Sequence, residues 1–215
     1  MEERNIKVTL DKAKEWYNSS NITLKELALQ AFGEQELKYN FKEIKTFEHA
    51  VKALGYNKIA IDNILRDISY FSRASAAMFK LNIVRKALNL GQDLHLTKSP
   101  KDSYIYYPYN SFITRNSTYY DGNINSNNIE VIGKIKSNGE IYKVMGKSAS
   151  SSSSEGIGFF NPNFGVGYAN AAGFLCCASK EIASHFSQYF GMLITEAKYG
   201  DLPDFKIIES KYELL

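Results

Sequence analysis

The residues able to do chemistry are few and scattered. Three histidines, His49, His95 and His185, stand far apart, and none belongs to a spacing that holds a metal. Each reads as a packed or solvated side chain. Cys176 and Cys177 are neighbours; strand alternation sends adjacent side chains to opposite faces, and adjacent cysteines rarely reach disulfide geometry. Lacking a second pair, they read as reduced, buried, metal-free thiols, and a reducing compartment suits them. Gly156-Ile157-Gly158 and Gly165-Val166-Gly167 lack the lysine and Ser/Thr of a phosphate loop, so they read as backbone bends among aromatic residues. No serine sits in a Gly-x-Ser-x-Gly turn, and nothing pairs the carboxylates as acid and base. The expectation is no catalytic set, no cofactor and no metal, although a pocket of converging ionisable groups would not be visible at this level.

What remains is a recognition-like composition. Residues 103–173 are rich in Tyr, Asn, Ser, Gly and Phe, a mixture used by paratopes because tyrosine offers a broad apolar face with a polar tip. The candidate binding residues are Tyr104, Tyr106, Tyr107, Tyr109, Tyr119, Tyr120, Phe160, Phe164 and Tyr168. They place a contact surface on loops around Tyr104–Tyr109, Tyr119–Asn128 and Gly156–Tyr168. The competing reading has these rings packing a β-rich core. Base stacking on single-stranded nucleic acid also uses aromatics, but it needs a basic groove.

The elements that must position these residues change in kind along the chain. Thr9 caps a helix over Leu10–Asn18, with Trp16 as a core anchor. Thr23-Leu24-Lys25-Glu26 has the form of a capping box opening a helix with Leu24, Leu27, Ala28 and Ala31 on one face. Thr46 caps a third helix that stops at Gly55. Residues 58–68 suit a fourth, and Ser72–Leu90 a fifth ending at Gly91. Beyond lie strand-like segments at Tyr104–Tyr107, Ile129–Ile135 and Glu140–Met145. Ser137-Asn138-Gly139 makes a hairpin turn between the last two. Ser148–Ser154 reads as a connector, Phe174–Ala178 as a buried strand, and Ser179 as the cap of a final helix to about Lys198.

The predicted class is therefore α+β: a helical domain over residues 1–91 and an α+β domain over residues 92–215 with Tyr/Asn/Ser/Gly-rich loops. Composition agrees with a step near Gly91. Residues 1–91 hold 15 Lys+Arg and 11 Asp+Glu, a balance of +4, and residues 92–215 hold 11 and 12, a balance of −1. All four prolines fall in the second part, where they would interrupt helices. With 44% hydrophobic and 23% charged residues the chain can bury a core. A net charge of +3 does not announce a nucleic-acid protein. No signal peptide is visible at the start, and no apolar run approaches the ~20 residues of a membrane helix.

The stretches Ile6–Tyr17 and Leu24–Phe32 resemble the start of uncharacterised small proteins of tailed phages and prophages of gut Bacteroidales, including crAss-like phages. Thr46–Gly55, Lys80–Asn89 and Gly173–Phe190 continue the likeness; the middle, with its serine run, departs from it. The resemblance brings no activity or catalytic residue. It implies a phage setting, synthesis in the host cytoplasm and a place in the virion if the role is structural. The expected function is a non-enzymatic virion-associated structural or adhesion protein. Its partners would be other virion subunits or a host surface ligand, and a homo-oligomer is compatible with the same surface. The alternative is an intracellular nucleic-acid-binding accessory protein.

Overall fold

The structure, a computed structural model, describes residues 8–90, 105–108, 111–113, 130–146, 157–160, 175 and 177–212. The fold is α+β. The chain groups into two compact units, Met1–Asn40 and Phe41–Leu215. Gly91 itself and the serine run lie outside the described residues.

In the first unit, α1 spans Leu10–Tyr17 and α2 spans Ile22–Lys38. Thr9 caps α1 as expected, its hydroxyl accepting the Lys12 N–H at 3.3 Å. The Thr23 capping box does not form. Asn21 caps α2 instead, accepting the Leu24 N–H at 3.1 Å, because an Asn two residues upstream is an equally good cap and adds a residue pair to the helix. The buried stripe shifts accordingly. Ala28 is buried and Leu24 and Phe32 are half-buried, whereas Leu27 and Ala31 are exposed. Gly33, at φ 76° and ψ 157°, breaks the helix where an L side chain would be strained. Ala13, Ala28 and Leu37 form the core of this unit, with Trp16 packed against it.

The second unit begins with a short 3-10 turn, Phe41–Glu43, followed by α3 (Phe47–Ala53), α4 (Lys58–Phe71) and α5 (Arg73–Leu88). Thr46, Asn57 and Ser72 cap them by accepting the N–H of His49, Ala60 and Ser75. Past α3, Gly55 takes the left-handed conformation, at φ 65°, that a helix stop asks for. The helix α6 spans Lys180–Tyr199, capped by Ser179. It is buried on nearly every side, through Ile182, Ala183, Phe186, Phe190, Met192, Leu193 and Ile194, as a central helix must be. One side packs on α5 and the other on strands.

Those strands form two sheets. The larger has the antiparallel order β2 (Ser111–Ile113), β4 (Glu140–Gly146), β3 (Glu130–Ser137), β6 (Lys206–Ser210). The smaller pairs β1 (Ile105–Pro108) with β5 (Ile157–Phe160), also antiparallel. The predicted hairpin is there: Asn138 and Gly139 take φ 52° and 77° between β3 and β4, the double positive φ of a type I′ turn. Ile132, Ile135, Val144, Met192 and Phe205 make the core between sheet and helix.

Two expectations change. Ile157 and Gly158 belong to β5 rather than to a bend. Phe174–Ala178 gives no continuous strand over its described residues. The Ala178 N–H is taken by the side-chain oxygen of Asn89 at 2.8 Å, and the Cys177 thiol donates to the Leu175 carbonyl at 3.4 Å. Both Leu175 and Cys177 are buried.

Candidate functional site

Among the candidate contact residues, Tyr104, Tyr109, Tyr119, Tyr120, Phe164 and Tyr168 lie outside the described residues. Tyr106 and Tyr107 fall in β1 and Phe160 in β5, in a register that sets Tyr106 opposite Phe159, Tyr107 opposite Gly158 and Ile105 opposite Phe160. The chain thus gathers three of the candidates on one two-stranded ribbon, although Phe160 lies more than fifty residues from Tyr106 and Tyr107 in sequence.

Among the described residues, large exposed apolar side chains gather on α4. Helix α4 buries only Ile61 and Leu65, one narrow stripe. The rest of its surface carries more apolar residues: Ile59 is 73% exposed, Ile64 43%, and Tyr70 and Phe71 85% each. Tyr70 and Phe71 meet edge to face, ring centroids 5.3 Å apart. The charges beside them are satisfied locally. Lys58 pairs with Asp62 at 2.9 Å, and Arg66 lies 3.8 Å from Asp67. Large exposed apolar side chains gathered on one helix, two of them in contact, point to an interaction surface. The sequence signal was present, since apolar residues at 59, 60, 64, 70 and 71 exceed what a single buried stripe at 61, 65 and 68 requires.

A second feature is a pocket of about 230 Å³ at the turn end of the β3–β4 hairpin, lined by Phe112, Ile135, Ser137, Asn138, Tyr142, Tyr199 and Leu202. Ile135 and Tyr142 are cross-strand partners and form one wall. Phe112 meets Tyr199 edge to face, centroids 5.7 Å apart. The turn is held by the Asn138 N–H, which donates to the Asp204 carboxylate.

A third cluster surrounds His185, which is buried. Its Nε2–H donates to the Ile44 carbonyl at 2.7 Å, with Phe41 edge-on at 5.5 Å and Tyr189 at 4.5 Å between ring centroids. Burial holds its pKa below the ordinary imidazole value, opposed by the Ile44 hydrogen bond and reinforced by Lys45 and Lys42. A neutral imidazole spending its proton on a carbonyl is a structural pin, not a base aimed at a substrate. Next to it Gln188 and Tyr212 converge on Glu130, at 3.0 and 2.9 Å, and Lys211 donates to the same carboxylate. This network ties the first residue of β3 to α6.

Among the described residues no group of three or more His, Cys, Asp and Glu is placed to hold a metal ion, and no helix is long and apolar enough to cross a membrane. Compared with protein-family models, curated proteins and solved structures, the chain matches none.

Proposed function

We propose that this chain is a non-enzymatic, virion-associated structural or adhesion protein that works by protein–protein contact. The observation that carries the reading is the exposed apolar surface of α4, where Tyr70 and Phe71 stand 85% exposed in mutual contact and Ile59 and Ile64 are exposed on the same helix. Exposed aromatics on a rigid helix supply large contact area at low entropic cost, the property of binding hot spots. The phage setting rests on the resemblance of residues 6–17, 24–32, 46–55, 80–89 and 173–190 to small phage proteins. The test is the composition of purified virions of the encoding phage. Stoichiometric presence is expected, and absence from the particle would overturn the structural role.

A second reading has its own observation. Lys134 lies opposite Lys143, and Lys136 opposite Lys206, so strand alternation collects four lysines on the outer face of the sheet. Glu209 pairs with Lys134 at 2.5 Å. Like charges directly opposite one another weaken a sheet unless an anion meets them. A phosphate backbone would be such an anion. Salt-dependent retention of single-stranded DNA, lost on Lys136→Glu with Lys206→Glu, would favour this reading over the first.

A further inference from the structure

The pocket beside the hairpin turn has largely apolar walls and carboxylates next to them. Its walls are aromatic and aliphatic: Phe112, Tyr142 and Tyr199, with Ile135 and Leu202. At about 230 Å³ it is smaller than the ~300–1,000 Å³ of pockets that enclose whole ligands, so it suits one compact group of a few heavy atoms.

Two carboxylates adjoin the lining residues. Ser137 and Glu140 are the cross-strand pair next to the turn. Glu140 lies two residues from Tyr142 and so shares its face of the sheet. On the other side, Asp204 is fastened to the turn by the Asn138 N–H. Among the described residues neither Glu140 nor Asp204 takes part in an ion pair. The lysines of these strands, Lys136 and Lys143, alternate onto the opposite face. The negative field reaches the wall itself: burial first, and then the Glu140 and Asp204 carboxylates, hold the Tyr142 phenol above its ordinary pKa.

We propose that this pocket binds the head of a small organic cation, an alkylated ammonium group, with the aromatic rings enclosing it and Glu140 and Asp204 attracting its charge. Aromatic faces carry negative quadrupoles and take up quaternary ammonium groups in this way. An anion would meet two carboxylates, and a neutral group would lack the charge attraction they offer a cation. The proposal concerns a different surface from α4 and stands whether or not the chain is part of a virion.

The probe is choline, titrated into the full chain and followed through the ring signals of its tyrosines. Its neutral isostere, 3,3-dimethylbutan-1-ol, has the same shape without the charge. Saturable shifts with choline are expected, with binding of the isostere about tenfold weaker, the share of a desolvated cation–π contact. The exposed-site double variant Glu140→Gln with Asp204→Asn should weaken choline and leave the isostere unchanged. Tyr142→Phe should retain binding and Tyr142→Leu should lose it. Equal binding of choline and isostere, no ring shift through the millimolar range, or wild-type choline binding by the double variant would each overturn the proposal. The comparison of the two probes uses the wild-type protein, so it holds even where a variant fails to fold.

Discussion

The Ser72 hydroxyl donates a 2.5 Å hydrogen bond to the Asp201 carboxylate, joining residues 129 positions apart in the chain. Ser72 is also the cap of α5, accepting the Ser75 N–H at 2.8 Å, and the other Asp201 oxygen accepts the Ala74 N–H at 3.1 Å. A carboxylate that follows α6 thus serves the exposed amides at the start of α5, where negative charge is favoured by the helix dipole. Arg73 to Glu196, at 2.8 Å, reinforces the same junction.

That junction should be acid-sensitive. The Ser72 hydroxyl, then the Ala74 amide, hold the Asp201 pKa below its ordinary value. A depressed carboxylate contributes stability that is complete above the unfolded-state pKa and is lost as pH falls through the folded one. Wild-type protein should melt higher than Asp201→Asn at neutral pH, with the gap closing below about pH 4. Thermal melts from neutral to strongly acidic pH check this; a gap independent of pH refutes it.

His185 should show a pH dependence of the same sign in a higher window. Its pKa is lowered by burial, so its contribution is whole above the ordinary imidazole value near 6.5 and declines as pH falls towards the depressed folded value. Its imidazole proton signals should titrate below that ordinary value. His185→Phe would leave the Ile44 carbonyl without its donor, a loss of about 1–3 kcal/mol by chemical denaturation.

The two sides of α4 should respond in opposite ways. Leu65 is buried, and Leu65→Ala should cost about 2–5 kcal/mol. Tyr70→Ser with Phe71→Ser removes side chains that are 85% exposed, so stability should change by no more than about 0.5 kcal/mol for each. If the face docks a protein, the double variant assembles poorly while melting normally. A strongly destabilised double variant would show that these rings are needed for the fold.

Gly133 should tolerate no side chain. A Cβ there would come within 2.5 Å of both the Glu209 carbonyl oxygen and the Met192 sulfur. Backbone on one side and a buried side chain on the other leave little room to yield. Gly133→Ala should destabilise by about 1–3 kcal/mol, the range for overpacking a core. A denaturation midpoint equal to wild type would show that β3 and β6 can separate at this point.

The helix starts and the hairpin were legible because their signals are local. Thr9, Thr46, Ser72 and Ser179 each accept an N–H three residues on, and Asn138-Gly139 needs no partner to prefer its turn. Thr23 misled because Asn21 carries the same chemistry two residues earlier. β2, β5 and β6 were not legible. They are short, and the partners of β6 lie about seventy residues upstream, so their existence depends on register set in three dimensions. The pocket was invisible for a related reason: Phe112, Tyr142 and Tyr199 come from separate parts of the chain. Of the two thiols, Cys177 is buried as its sequence context suggested, and Cys176 lies outside the described residues.

The central position of α6 has a consequence for synthesis. Helices α3 to α5 emerge early, but α5 turns its buried face towards a helix that is not complete until residue 199. At ~5–20 residues per second, the roughly hundred intervening residues take on the order of 5–20 s to appear. Throughout that interval the side of α5 that packs on α6 stays uncovered on the ribosome. A nascent chain halted before α6 should therefore be held by chaperones and readily cut by proteases, and one released after residue 212 should resist both.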